Sequence, residues 1–484
     1  MFEDGKLWIA QSGDKKVFLY PRMANRHGLI TGASGTGKTV TLRVLAESFS
    51  SAGIPVFFAD MKGDVGTIVQ PGDPAKMADR AKKFGFEYVP SGFPARFWDV
   101  YGDLGTPVRA TMSSMGAQLL SRLMGLSEVQ ADVLNVVFSI ARDRKWEIID
   151  TRDLRAVLQY VNDHKDEFTD EYGTMSTQSI GAVQRNLRSM EESGGDVFFG
   201  EPAIEIKDWM KCDDEGRGYI NVLNAEKLSH NPALYATFMM WLMSELFDKL
   251  PEAGDVEKPK LVFFFDEAHM LFSDAPKALV QKIEQMVKLI RSKGVGIYFV
   301  SQSPSDIPDT VLAQLSNRIQ HALRAYTPAE QKAVKAAATA FRANPAFKTQ
   351  DVITELGVGE ALVSCLDEKG APSMVERAFI LPPQSRLGAL DRAGYERAIS
   401  SSPYEEKYRV REDRESAYEK ISALNAKDKK AEEKPKKEAV KKEPAKKTKS
   451  TGQKQAERAA GNALSSFARS AGTFAAKSLF GKKK

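Results

Sequence analysis

The sequence predicts an α/β fold: a mostly parallel sheet, broken by a mostly helical insertion and followed by a disordered, basic C-terminal tail. Three observations carry this. Short continuous apolar runs, such as Ile54 to Ala59 and Leu261 to Phe265, end in acid-bearing turns, as strands buried on both faces do. Segments of helical spacing alternate with them. After Pro382-Pro383 the composition shifts to charged residues, and Ala426 to Thr451 is rich in Lys, Glu, Ala and Pro.

The elements follow in order. Residues 7–20 predict a hairpin leading to the first core strand, Gly28 to Thr31. That strand enters Gly32-Ala33-Ser34-Gly35-Thr36-Gly37-Lys38-Thr39, a complete G-x-x-x-x-G-K-T loop, and Val40 to Phe49 continues as a helix. Strand, loop and helix together are the context this motif requires. Its glycines let backbone N–H groups turn inward around a polyphosphate, and the helix points its positive end at the same anion. Gly32 through Val40 are thus the nucleotide-binding residues. Lys38 reaches the β- and γ-phosphates, and the Thr39 hydroxyl ligates Mg²⁺.

Ile54 to Asp60 closes the first strand–helix–strand unit and ends in Asp60-Met61-Lys62-Gly63-Asp64. There Asp60 and Asp64 touch a metal, hold the loop, or simply form a strand-end turn. Thr106 to Asp163 has helical periodicity, with helix starts at Ser127-Glu128 and Thr151-Arg152-Asp153. Gly218 to Leu223 returns to a core strand, and Leu234 to Leu250 forms a helix.

The run Lys260 to Phe265 then ends in Asp266-Glu267-Ala268-His269. Acids at the carboxyl end of a central strand lie where ligands of open α/β sheets collect. Asp266 holds the Mg²⁺ shell and Glu267 polarises the attacking water. The second acid points to hydrolysis rather than transfer to an acceptor. Leu279 to Ile290 is helical, and Gly294 to Gln302 is a further buried strand. Gln302 either senses the γ-phosphate or caps the strand end. A strand between the nucleotide loop and the acid strand implies the added-strand class of phosphate-loop ATPases. Residues 351–381 predict late edge strands.

The expected organisation is a core in two parts (1–100 and 211–385) around the helical insertion (101–210). A charged helical extension (386–425), a disordered linker (426–454) and an amphipathic helix (455–484) follow. Two cysteines in 484 residues do not suggest a disulfide framework and suit a reducing, cytoplasmic setting. No secretory signal or membrane-length apolar run is visible. The net charge of +5 is uneven. Residues 401–484 hold 23 basic and 12 acidic residues, about +11, which leaves 46 against 52, about −6, for residues 1–400. The tail is either an electrostatic contact for nucleic acid, a protein or an anionic membrane, or a solubilising segment.

With these motifs placed, the chain resembles the HerA–FtsK branch of hexameric ATPases, and more closely bacterial YjgR-type proteins. The resemblance rests on Leu29 to Thr41, Asp60 to Asp64, Pro259 to His269, Leu289 to Gly296, Asp306 to Leu312 and Asn317 to Arg324. It implies a RecA-like core, ATP and Mg²⁺, and a homo-hexameric ring acting on double-stranded DNA as a translocase or helicase. It also implies an arginine supplied in trans, best matched by Arg318, with Arg291 and Arg324 as rivals. A nucleotide-gated scaffold recruiting a protein or membrane partner is the other reading. No winged-helix or zinc module and no basic aromatic loop is visible in the acidic body.

Overall fold

The computed structural model describes residues 1–273 and 277–427. All but the first two residues of the linker expected at 426–454, and the whole helix expected at 455–484, lie outside the described residues. The described strands are β1 (Phe2–Glu3), β2 (Lys6–Ser12), β3 (Lys15–Leu19), β4 (Gly28–Thr31), β5 (Val56–Asp60), β6 (Ala95–Asp99) and β7 (Thr106–Pro107). They continue with β8 (Ile220–Asn224), β9 (Leu261–Phe265), β10 (Val295–Ser301), β11 (Asn317–Gln320), β12 (Glu360–Ser364) and β13 (Glu376–Ile380). They form one sheet in the order β1-β2-β13-β12-β11-β4-β10-β9-β5-β8-β6-β7, with β3 also on β2.

The sheet has two halves. From β11 to β7 every pairing is parallel. From β11 through β12, β13 and β2 to β1 and β3, every pairing is antiparallel. Here β12 and β13 lie inside the sheet, where edge strands were expected; the N-terminal hairpin pairs with β13 and takes the border. Strand β12 is buried throughout and β13 keeps half-exposed positions, and the partners that place both inside the sheet are distant in sequence and so invisible along the chain.

The parallel half is apolar because both faces are covered. All five residues of β9 are buried. Phe264 meets Phe49 of the helix Lys38–Ser51 and Tyr298 of β10. On the opposite face Phe263 stacks on Phe57, which stacks on the buried Trp209. Strand β10 lies between β4 and β9, with Phe299 paired to Leu29 on one side and Phe265 on the other. This is the added-strand arrangement, and it sets the ends of β4 and β9 one strand apart.

Between β7 and β8 the chain is helical: Met112–Leu123, Glu128–Asp143, Thr151–Asp163, Lys165–Tyr172 and Thr177–Met190. Asp150, one residue before the expected start, caps the third of these by accepting from the Arg152 and Asp153 amides. These helices dock on the helix Pro232–Lys249, where Trp241 Nε1 donates to Ser114 Oγ at 3.1 Å. The charged helical extension expected over 386–425 is broken. Helices Arg392–Ser400 and Pro403–Arg409 end before residues 410–415, which are not helical. Tyr404 and the buried Tyr408 pack on Trp98 of β6, so aromatic anchors fix this segment to the sheet. Cys212 and Cys365 are free thiols. Among the described residues no helix is long and apolar enough to cross a membrane.

Candidate nucleotide site

The loop after β4 is anchored from below. Thr31 Oγ1 donates to Gln320 Oε1 at 2.7 Å, and the His321 amide donates to the Thr31 carbonyl at 2.7 Å. The loop then closes on itself. The Thr36 hydroxyl donates to the Ala33 carbonyl at 2.7 Å, and the Gly359 amide donates to the Thr36 carbonyl at 3.1 Å. Gly32, at φ 155°, leaves no room for a side chain: a Cβ would lie 2.5 Å from His321 Cβ. Gly37, at φ 115°, starts the helix Lys38–Ser51 in the left-handed region. Thr41 N is bonded to the Gly37 carbonyl, so the amides before it in the first turn have no acceptor within the helix.

His321 is fully buried beneath this loop. Its Nδ1 lies 2.9 Å from the Glu360 carbonyl and its Nε2 2.7 Å from Thr41 Oγ1. A carbonyl only accepts, so Nδ1 carries the proton and Nε2 accepts from the Thr41 hydroxyl. Burial, aided by the Lys38 charge, pushes its pKa down to about 4. The unfolded chain therefore takes up a proton near pH 6.5 that the folded chain refuses until about pH 4, and stability falls as pH drops through that window. At about pH 5.5 this one residue costs about 1.4 kcal/mol. The buried Glu47, raised to about 6 mainly by burial, works in the opposite sense, so the test is differential. His321→Gln is expected to lose about 1.2 kcal/mol less than the wild type between about pH 7 and about pH 5.5 in urea unfolding.

The acid pair sits at the end of β9. Tyr235 OH donates to the Asp266 carbonyl at 2.8 Å, and the Glu267 amide donates to Asp266 Oδ1 at 2.9 Å. Burial and then the neighbouring Glu267 charge raise the Asp266 pKa to about 7, opposed by Lys62 and Lys38. Glu267 adopts φ 48°, a left-handed conformation uncommon outside glycine. Its Oε2 is buried without a hydrogen-bond partner, 3.3 Å from His269 Nδ1.

One cavity of about 340 Å³ joins these parts. It is lined by Ser34, Gly35, Gly37, Lys38, Thr39 and Val40 from the loop and helix, by Asp266 and Glu267, and by Asp60, Lys62 and Asp64 from the turn after β5. Gly32, Ala33 and Thr36 shape the loop without lining it. Lys38 Nζ donates to the carbonyls of Gly32 and Ala33 at 2.6 and 3.2 Å. Asp60 accepts from the amides of Lys62, Asp64 and Val65, so it holds its loop while also lining the cavity. The donor set fits a Mg²⁺-bound polyphosphate: an ammonium, a helix N-terminus, a hydroxyl, and a carboxylate pair with an orphaned oxygen. Among the described residues no three His, Cys, Asp or Glu side chains cluster to hold a metal by themselves.

Beyond the loop, Gln302 and Arg318 also fall outside the cavity. Gln302 follows the end of β10 and is exposed. Arg318 on β11 donates to the carbonyls of Leu315, Leu312 and Ala340, at 3.0, 3.1 and 3.4 Å. Its guanidinium is committed to carbonyls of its own chain, whereas Arg324 is exposed and makes no hydrogen bond or ion pair among the described residues. Arg291 bonds Asp255 at 3.3 Å. Sequence reading missed Tyr235, His321, Lys62 and Val358, which lie far along the chain from the motifs they serve or carry no motif of their own.

A family profile described as Helicase HerA-like C-terminal matches residues 6–479. The chain belongs to that HerA-like family. Among curated proteins, the DNA double-strand break repair helicase HerA of Sulfolobus acidocaldarius is 27% identical over 172 residues, 35% of this chain and 32% of that protein. The match thus spans about a third of that relative's length. Solved structures share the fold. VirB4 of Thermoanaerobacter pseudethanolicus superposes with a TM-score of 0.51 at 15% identity, over 78% of this chain and 97% of that one. The plasmid coupling protein TrwB, in complex with a non-hydrolysable ATP analogue, gives 0.51 at 14% identity, over 78% and 89%. At such identities the likeness is one of fold. A phosphate-loop ATPase core is therefore common ground for sequence, geometry and family.

Proposed function

We propose that this protein is a Mg²⁺-dependent ATP hydrolase of the HerA/FtsK type, a ring-forming motor that couples hydrolysis to movement along double-stranded DNA. The observation that carries the hydrolytic part is the single cavity in which Lys38 and Thr39 face Asp266 and Glu267. Lys38 exchanges its loop carbonyls for the β- and γ-phosphates of ATP. Thr39 and Asp266 hold Mg²⁺, which supplies charge to the phosphate oxygens when bound. The Glu267 carboxylate, whose Oε2 makes no hydrogen bond, orients a water and takes its proton. Lys62 offsets the paired acids from across the cavity, and Gln302 acts from the rim as a phosphate sensor when its strand end closes over the site. A ring neighbour completes the site with an arginine. With Arg318 tied down, the exposed Arg324 is the stronger of the candidates for that role.

The DNA part is supported by the family and by the function named for its Sulfolobus relative. The test is steady-state ATP hydrolysis with and without double-stranded DNA at several salt concentrations. Several-fold stimulation that weakens as salt rises is expected. Turnover indifferent to DNA would remove the translocase reading and favour the second one, a cytoplasmic scaffold ATPase whose basic tail recruits a protein or an anionic membrane. The charge division, about −6 over residues 1–400 and about +11 over 401–484, is what keeps that second reading alive.

Lys62→Ala is expected to raise KM for ATP about fivefold with a smaller effect on kcat, the equivalent of about 1 kcal/mol for an exposed charge. Unchanged KM would show that the lysine acts only on the loop it sits in.

A further inference from the structure

A second cavity, of about 500 Å³, adjoins the phosphate cavity, and Val358 lines both. Its walls include Lys76, Asp79, Arg80 and Phe84 from the segment after β5, and Phe379 from β13. The partition between the two cavities is the turn Gly357 to Gly359. On one side that turn is bonded to the phosphate loop through the Gly359 amide and the Thr36 carbonyl, at 3.1 Å. On the other side Arg80 Nη2 donates to the Gly359 and Ile380 carbonyls at 3.3 and 3.2 Å. Gly359 adopts φ 78°, a left-handed conformation that favours glycine, and the Arg80 guanidinium lies close against it.

The second cavity has the chemistry of a heterocycle site. Phe84 and Phe379 pack with ring centroids 5.9 Å apart. Val358 is 75% exposed and Phe379 43% exposed, which leaves apolar surface beside the phosphate loop with nothing in the described chain to cover it. Arg80 Nε is buried without a hydrogen-bond partner. Asp79 supplies an acceptor for an amine or ring N–H, and the Arg80 guanidinium supplies a flat cationic face and a donor. Planar aromatic rings with mixed donor and acceptor edges match this set.

We propose that the purine base of the nucleotide passes over Val358 and lodges in this second cavity, between the Val358 turn and the Phe84–Phe379 wall, with Asp79 and Arg80 at its polar edge. The proposal rests on the reading of the phosphate loop and adds what holds the other end of the same ligand. The base-binding end is built by the antiparallel half of the sheet and the segment after β5, while the parallel half supplies the phosphate end.

The test compares ATP with inorganic tripolyphosphate, both with Mg²⁺, on the full chain by calorimetry. The wild type should bind ATP at least tenfold tighter than tripolyphosphate, since only ATP reaches the second cavity. Asp79→Ala and Phe379→Ala should each weaken ATP about tenfold and leave tripolyphosphate affinity unchanged. Asp79 is exposed, so its variant keeps the result readable where Phe379→Ala fails to fold. ATP affinity equal to the wild type in both variants would overturn the base assignment. Failure of the phosphate-loop reading looks different: tripolyphosphate and ATP would then bind Lys38→Ala as they bind the wild type.

Discussion

Glu267→Gln is expected to bind ATP as tightly as the wild type and to hydrolyse it about 100- to 1,000-fold more slowly. The amide keeps the shape of the side chain and the unusual backbone at φ 48°, but it cannot accept the proton of an attacking water. It also removes the charge that, after burial, does most to raise the Asp266 pKa, so Asp266 ionises more readily beside Lys38 and Lys62. Binding should therefore be preserved or strengthened while chemistry stops. Calorimetry for affinity and phosphate release for turnover check the two halves separately. A normal turnover rate would remove Glu267 from the water-activating role. A matched loss of binding and turnover would recast it as a residue that shapes the site.

Lys38→Ala is expected to weaken ATP binding by about 100-fold, close to 3 kcal/mol, the scale of a charge-assisted contact to phosphate in a partly buried site. The lysine also donates to the Gly32 and Ala33 carbonyls, so its loss frees two acceptors of the loop. Those carbonyls can turn to solvent, and the change in melting temperature without nucleotide should be small. The two effects separate cleanly: nucleotide-dependent stabilisation of the wild type should be several degrees, and absent in the variant. An unchanged affinity would mean that the loop binds something other than a polyphosphate.

The parts of this site that were legible in the sequence are those made by neighbours along the chain. Gly32 to Thr39 reads as a phosphate loop because each residue acts within a few positions of the next: glycines turn the backbone and the helix starts at once. Asp266 and Glu267 read as an acid pair because the five apolar residues before them announce a buried strand. The alternation of apolar runs and helical spacings gave the α/β class and the helical stretch between the two motifs. What did not show was pairing. Strands β12 and β13 looked like edges, yet they are the bridge from the parallel half to the N-terminal hairpin. Arg318 matched a position in a pattern, but whether a guanidinium is free depends on which carbonyls fold around it, and three do.

The sequence by itself supplied the chemical groups of the proposed site: a glycine-rich loop, a lysine and a hydroxyl at the start of a helix, and two carboxylates at the end of a buried strand. Those groups follow from residue type and short spacing, which folding does not change. Only the tertiary structure decided where they meet. Strand β10 sets the loop and the acids one strand apart, His321 and Gln320 hold the loop from a strand nearly three hundred residues later, and the turn at Val358 opens a second cavity beside the first. Contacts between residues so distant in the chain are fixed by strand order and packing of the whole sheet, and no local pattern records them.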